Sequence, residues 1–503
     1  MKKNYKLVIA IAAIVGVVFG IYLLNIYLKQ KIQIAIKEEF TNSDVEYQDI
    51  TVSVFKNKSE IKNIFYSGDN ISVKAAALKV EGFNFYQYVF HDKIEISEIS
   101  LQRPEFVFLK KDSLTNAATG KKWHLKKGVF VNSFHINNGQ LEFKDNKLSP
   151  ATLLAVLKKI ELTGVRLNSE TLNNDLPIVY ENINLEIDSL FYALNAEHNL
   201  TVDKISMNDH LELQNLRIKS KYDKAEFSKK ITIEKDRFDL EIPRLDVKDF
   251  SIGFEDDSLR LNSSLTQINK ADFKIYRNKL LPDDLRIKPL YSEMLRTVRA
   301  KLKFDTLKII SSKIIYEEKI HESRPPGVVS FSDLNVKISN IANVDMRKSN
   351  FPITKIHAEA YFMKTSRLTL DWQFDIRNLE DDFKVSGSLA GISAKSMNSF
   401  LTPGMNVKAS GEIESLFYNF YGNKYSGKGD MKLQYKDFKV EVLKKDGTGK
   451  NKLLTGLANL IIKNDANNKK LTHEDIGVQR DRTKSFWNYL WSFVKNGALK
   501  TFL

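Results

Sequence analysis

The chain has 503 residues, with 77 Lys and Arg against 62 Asp and Glu for a net charge of +15, a hydrophobic share of 43% and no cysteine. This apolar content excludes a largely disordered chain, and the missing thiol excludes disulfides, Fe–S clusters, Cys-ligated zinc and Cys nucleophiles. Lysines scattered between apolar positions suit the solvated faces of strands, and no zinc-finger or RNA-binding signature accompanies them, so no nucleic-acid partner is expected.

Residues 1–6 read as a short cytoplasmic N-terminus carrying Lys2, Lys3 and Lys6. Residues 7–28 form an uncharged run whose apolar members are Leu7, Val8, Ile9, Ile11, Ile14, Val15, Val17, Val18, Phe19, Ile21, Tyr22, Leu23, Leu24, Ile26 and Leu28. At 1.5 Å per residue a helix of this length reaches about 33 Å, enough to cross a bilayer with some tilt. The run ends in Asn25-Ile26-Tyr27-Leu28-Lys29-Gln30-Lys31 with no small-x-small cleavage site, so an uncleaved single-pass anchor is expected. Basic residues flank both ends, with a slight bias toward a cytoplasmic N-terminus and an external body. Residues 29–44 continue the helix as a stalk that lifts the body off the bilayer.

From residue 45 onward short apolar/polar alternations predict half-buried strands, divided into a region 45–287 and a region 288–470. One spacing recurs, with apolar residues at i, i+2, i+5, i+7, i+12 and i+14. It is carried by Ile94, Ile96, Ile99, Leu101, Phe106 and Phe108, and again by Val129, Val131, Phe134, Ile136, Leu141 and Phe143. Leu240, Ile242, Leu245, Val247, Ile252 and Phe254 repeat it, as do Leu302, Phe304, Leu307, Ile309, Ile314 and Tyr316. The three-residue step shifts the phase as a bulge would. The polar stretch that follows, such as Asn137-Asn138-Gly139-Gln140, reads as a hairpin turn. Helices are expected at Pro150–Lys159 and Pro289–Leu302, and loops at 111–128, 220–230, 318–327 and 444–452. The fold class is mainly β: one N-terminal transmembrane helix, an elongated, repetitive antiparallel sheet with few helices, and a C-terminal amphipathic helix.

Such a sheet must cover its apolar face. Two sheets could close as a sandwich with a dry core, which residue pattern alone favours, or one sheet could curve into a trough lined by the groove residues of the first two repeats. Residues 483–503 form the amphipathic helix, with Phe486, Trp487, Leu490, Trp491, Phe493 and Val494 opposite a polar stripe. It could lie in a membrane interface or dock on the body.

No catalytic constellation is present: no HExxH pair, no GxSxG elbow, and no metal-ligand or cofactor motif among the eight histidines. Gly447-Thr448-Gly449-Lys450 lacks the full phosphate-loop spacing and reads as a turn. The acid pairs Asp256-Asp257, Asp283-Asp284 and Asp381-Asp382 read as solvated turns. His124 and His135 flank a strand and read as structural.

The anchor followed by KIEISEISLQRPEFVF resembles the AsmA-like family of bacterial envelope proteins, with Ile99, Leu101, Pro104 and Phe106 matching an I-x-L-x-x-P-x-F element. LKFDTLKIISSKIIYEEK with the later Gly327, Phe331 and Leu334 is similar to the family's C-terminal half, and RTKSFWNYLWSFVKNGALKTF to tails in some members. The resemblance covers most of the chain through diffuse patterns. It implies a β-groove that carries or shields lipid between inner and outer membranes, without catalytic residues, and it turns the reading from dry sandwich to open trough. The expected protein is thus non-enzymatic, anchored in the bacterial inner membrane with its body in the periplasm, and binds phospholipid or another acyl-chain lipid in outer-membrane homeostasis. The alternative is an assembly factor that holds envelope protein partners through sheet edges without lipid cargo.

Overall fold

The computed structural model describes residues 2–39, 44–110, 127–171, 178–255, 258–444, 451 and 471–502. The chain forms two compact units, Met1–Ala193 with Thr201–Asn208, and Leu194–Leu200 with Asp209–Leu503. In chain order the elements are α1 (Lys2–Glu39), β1 (Asp44–Glu46), β2 (Asp49–Ser53), β3 (Lys58–Ser67), β4 (Ile71–Phe83), α2 (Phe85–Phe90), β5 (Ile94–Gln102), β6 (Glu105–Leu109), β7 (Val129–Lys144), β8 (Ala151–Leu167), β9 (Asn182–Tyr192), β10 (His198–Val202) and β11 (Lys204–Met207). There follow β12 (His210–Ser220), α3 (Lys224–Lys230), β13 (Asp236–Lys248), β14 (Ser251–Glu255), β15 (Ser258–Asn269), β16 (Asp272–Asn278), α4 (Tyr291–Thr297), β17 (Lys301–Lys319) and β18 (Gly327–Ala342). The chain closes with β19 (Thr354–Phe362), β20 (Ser366–Phe374), β21 (Phe383–Ser393), α5 (Asn398–Met405), β22 (Val407–Gly422), β23 (Ser426–Val442), β24 (Leu471–Gln479) and α6 (Phe486–Phe502).

The chain is mainly β, as the alternation predicts, and each recurring apolar segment is a strand. The hairpin expected inside each repeat is absent. In β7 the stretch Asn137–Gln140 lies within one continuous strand, and β5 and β6 both run parallel to β7. The reason is a single left-handed residue at the tenth position of the repeat: Arg103 (φ 47°), Asn138 (54°), Asp249 (49°) and Ser311 (48°). One such residue kinks the strand, and the pairing resumes in the same direction, whereas the tightest hairpins need a two-residue reversal. Gly139 follows the kink in β7 because a Cβ there would fall 2.9 Å from Pro104 Cγ.

Because the copies continue instead of turning back, the first two copies stack in parallel and in register. Ile94, Ile96, Ile99 and Leu101 pair with Val129, Val131, Phe134 and Ile136, and Phe106 and Phe108 pair with Leu141 and Phe143. The second unit repeats the arrangement and reveals a copy that sequence reading misses. Leu261, Ser263, Thr266 and Ile268 pair with Leu302, Phe304, Leu307 and Ile309, and Phe273 and Ile275 pair with Ile314 and Tyr316, with Lys270 (φ 55°) at the tenth position. Ser263 and Thr266 break the apolar template. Both are buried, with Ser263 Oγ donating to Lys248 O and Thr266 Oγ1 bonded to Ser263 Oγ. In each unit one strand (β4, β13) runs antiparallel to both halves of a kinked strand (β5 and β6, β15 and β16), which lies parallel to a long strand (β7, β17) closed by an antiparallel neighbour (β8, β18). The earlier three-residue step is also a paired kink, and there the left-handed residue sits on the neighbouring strand: Gly82 opposite Ser97, Gly164 opposite Asn132, and Asn340 opposite Asp305.

Three local expectations are corrected. The segment Pro150–Lys159 is strand, not helix: β8 has pairing partners on both sides, β7 and β9, which outweighs its Leu- and Ala-rich helix propensity. Only Tyr291–Thr297 of the second expected helix is helical, because Lys301 onward is drawn into the sheet by β15 and β18. Within 220–230, Lys224–Lys230 is a helix capped by the Asp223 side chain, which accepts from Glu226 N, and it buries Phe227. Residues 111–126 and most of 444–452, expected as loops, lie outside the described residues.

In the second unit β18–β24 enclose a filled core. α6 docks on β20–β24: Phe486 stacks on Trp372 (ring centroids 4.4 Å), Phe493 stacks on Phe420 (4.7 Å), and Tyr489 meets Phe383 edge-on. These three tail aromatics are buried, while Trp487 and Trp491 stay exposed. Phe493→Ala should cost about 3–5 kcal/mol, as for other buried Phe truncations, and Trp491→Ala about 1 kcal/mol or less; urea unfolding of the detergent-solubilised chain measures both. At the kink, Asn138→Val should destabilise the first unit by about 1–2 kcal/mol because a β-branched residue resists the left-handed region, whereas Asn138→Gly should leave it nearly unchanged; the same unfolding curves report the difference.

Candidate functional site

The groove residues expected from sequence lie in β5, β6 and β7 and form rows that cross the first unit's sheet strand by strand. One row runs Ile50, Ile61, Leu78, Leu101, Ile136, Ile160, Leu185, Met207. A second runs Val80, Ile99, Phe134, Leu162, Ile183. Beyond the kinks a third runs Tyr66, Val73, Phe106, Leu141, Ala155, Leu190, and a fourth Ile71, Phe108, Phe143, Leu153, Tyr192. Directly paired residues point to the same side of a sheet, so each row is a band of apolar surface. Phe108 and Phe143 stack at 4.8 Å, and Phe143 and Tyr192 remain 42% and 40% exposed. The alternate positions carry polar side chains bonded along their strands: Gln102 to Ser100, Gln140 to Glu142, and Lys159 to Glu161.

This face is only partly covered. Its fully buried cluster is Ile96, Val131, Leu162 and Val165. Among the described residues, the half-buried side chains packed around that cluster come from the sheet's own strands and from Ile178 and Tyr180, and none from a helix. In the second unit α6 packs on a filled core built from β18–β24, outside the repeat-bearing strands β13–β17.

The anchor residues Val15, Val17, Val18, Phe19, Tyr22, Leu23, Leu24 and Ile26 are exposed, and Val15–Glu38 is long and apolar enough to cross a membrane with none of it buried. The side chains of Leu7, Val8, Ile9, Ile11 and Ile14 lie outside the described residues. Ile21 and Leu28 are half-buried on the side of α1 that meets β2. There Asn25, the strong polar group in the apolar run, accepts the Val54 N–H at 2.8 Å, and Lys29 pairs with Asp49 at 2.8 Å, holding the Asp49 carboxyl below its usual range. In the tail, Leu490 and Val494 pack partly buried beside Phe486 and Phe493, and Trp487 Nε1 donates to the Tyr291 hydroxyl at 3.2 Å.

Two of the acid pairs are not the solvated turns expected. Asp381 is buried, accepting from Arg296 at 2.9 Å and Ser292 at 2.8 Å, and so ties α4 to the turn before β21. Asp284 is buried against Arg286 and Lys288, while Asp283 pairs with Lys484. Asp256, Asp257, His124 and the 447–450 turn lie outside the described residues. His135 sits half-buried within β7, with Nε2 4.0 Å from Glu98.

A polar cleft of about 220 Å³ in the second unit went unnoticed in the sequence, because its lining comes from separate turns and strands: Asn195, His198, Glu234, Asp236, Arg277 and Asp284. Its charges pair with neighbours, Asp236 with Arg277 through two bonds of 2.6 Å and Glu234 with Lys279 at 2.5 Å. His210, Glu212 and Asp246 also come close together, but Arg244 already holds both carboxylates at 2.9 and 2.8 Å.

No protein-family model matches this chain, and none of the curated proteins matches it in sequence.

His198 carries a pH prediction. Burial lowers its pKa from the usual 6.5, and the neutral ring accepts Phe238 N–H at Nε2 (3.0 Å), leaving the proton on Nδ1 beside Asn195 Oδ1 (3.2 Å). The unfolded chain therefore takes up a proton as pH falls through 6.5 while the folded unit resists it, so stability falls on the acid side of that value. Urea midpoints should drop between about pH 7 and pH 5, and His198→Gln should flatten that slope.

Proposed function

We propose that this protein is a membrane-anchored, non-enzymatic lipid-handling protein of the bacterial envelope, similar in design to the AsmA-like family. In this reading α1 lies in the inner membrane, the body stands in the periplasm, and the first unit's apolar face takes acyl chains in support of the outer membrane. The observation that carries it is the set of four apolar rows, unbroken across paired strands and partly exposed. An acyl chain needs only apolar contact and tolerates sliding, which suits rows without placed polar groups. At about 0.8 kcal/mol per methylene, a chain of about 16 carbons lying on one side of such a face gains roughly 6 kcal/mol gross, so one chain binds reversibly and two bind firmly.

Mass spectrometry of lipid retained by the full-length chain, purified in a detergent that strips loosely held lipid, tests the reading. Phospholipid should co-purify near stoichiometry, and the double substitution Phe106→Glu with Leu141→Glu, placed on paired positions, should reduce it severalfold while the chain stays folded. A folded chain that holds no lipid, or holds it equally after the substitution, refutes the proposal.

A further inference from the structure

The first unit carries a second apolar feature that the sheet does not use. Helix α2 buries none of its residues: Tyr86, Val89 and Phe90 are 61%, 65% and 71% exposed, and Phe85 and Tyr88 are also open. A six-residue helix with five large apolar side chains in or near solvent gains nothing from the fold for that exposure. Phe55, at the tip of the turn between β2 and β3, is 84% exposed. Single exposed apolar residues are ordinary on a protein surface, but a cluster of this kind marks a place where something else binds.

Hydrogen bonds fix where this cluster sits. Asn25 of α1 accepts Val54 N–H at 2.8 Å, and Asn57 N–H donates to Val54 O at 3.0 Å, closing the turn that bears Phe55. Asn57, held left-handed at φ 48°, then clamps the end of β4: its amide donates to Phe83 O and accepts Phe83 N–H, both at 3.1 Å. Asn84 caps α2 immediately afterwards, accepting Gln87 N–H at 3.1 Å. The Phe55 turn and the start of α2 are thus coupled, through backbone-directed bonds, to a residue inside the anchor's apolar run, close to where that run ends at Leu28 and Lys29. Tyr22 and Tyr27 of α1 are exposed at the same level.

We infer that Phe55 and α2 form a platform inserted in the interfacial layer of the same bilayer that α1 crosses. The partner is the lipid headgroup and upper acyl region, where Tyr is favoured because its ring meets apolar chains while its hydroxyl reaches water, and where Phe buries its ring at the acyl boundary. The platform also joins the bilayer to the apolar face. Phe83 packs against the Ile96 and Val131 cluster, and its ring meets Phe85 at 4.9 Å and Tyr88 at 5.5 Å. Apolar surface therefore runs from α2 onto the sheet. The inference rests on the anchor part of the proposed function and does not require the sheet to hold lipid.

The absence of cysteine makes the test direct. Single variants Phe55→Cys, Tyr86→Cys and Phe90→Cys of the full-length chain are labelled with an environment-sensitive fluorophore and reconstituted in vesicles of phosphatidylethanolamine and phosphatidylglycerol. A nitroxide-bearing lipid quenches from the membrane side and iodide from the water side. Val18→Cys reports the anchor. Leu148→Cys, 98% exposed at the far end of β7, reports the opposite end of the sheet, about 50 Å away at 3.3 Å per residue. Labels at 55, 86 and 90 should be quenched by nitroxide lipid about twofold or more over the label at 148, and shielded from iodide. Lipid quenching at 18 with none at 86 and 90 overturns the platform and leaves the anchor standing. No lipid quenching at 18 overturns the anchor and the platform with it.

Discussion

A sheet built from strict apolar/polar alternation has one greasy face, and water cannot be left on much of it. In this protein that constraint is met in two ways. The second unit lays its own C-terminal helix over β20–β24, so Phe486, Tyr489 and Phe493 become core residues against Trp372, Phe383 and Phe420. Among the described residues of the first unit no helix packs on the cluster of Ile96, Val131, Leu162 and Val165, and of the other row residues Ile50 and Ala155 are buried. Its largest side chains at the far end, Phe143 and Tyr192, stay well exposed. The proposed lipid function rests on the first unit's partly exposed rows.

The geometry of the rows depends on the left-handed residue at the tenth position of each repeat. Without it, the odd spacing of the apolar residues would send half of them to the polar side, since a one-residue slip in a strand reverses every side chain. With it, the strand kinks, the phase is restored, and the copies at 94 and 129, and at 261 and 302, align in parallel. The residues at that position are Arg103, Asn138, Asp249, Lys270 and Ser311. Asn and Asp take the left-handed region comfortably, whereas Arg, Lys and Ser occupy it because paired strands on both sides over-determine the conformation.

A similar economy links anchor and body. Asn25 is a poor residue to bury in hydrocarbon, and its amide oxygen is used to hold Val54. The turn it holds carries Phe55, and through Asn57 it sets the start of α2. One polar residue in an apolar helix thereby fixes the depth at which a whole aromatic surface meets the membrane under the platform proposal.

Much of this was legible in the residues themselves. The uncharged run from Leu7 and the repeated spacing of Ile94 to Phe108 and Val129 to Phe143 dictate a long apolar helix and half-buried strands, because periodicity is a property of the local chain. The direction taken after each polar stretch was not legible: a kink and a hairpin use the same Asn- and Gly-rich residues, and only the partner strands choose between them. The copy from Leu261 to Ile275 was hidden because Ser263 and Thr266 satisfy their hydroxyls inside the fold, which no spacing rule foresees. The burial of Asp381 and Asp284, the strand at Ala151–Leu167 and the open aromatic face of α2 were likewise decided by tertiary pairing. What covers an apolar face depends on which distant segment reaches it, and that is settled only when the whole chain is packed.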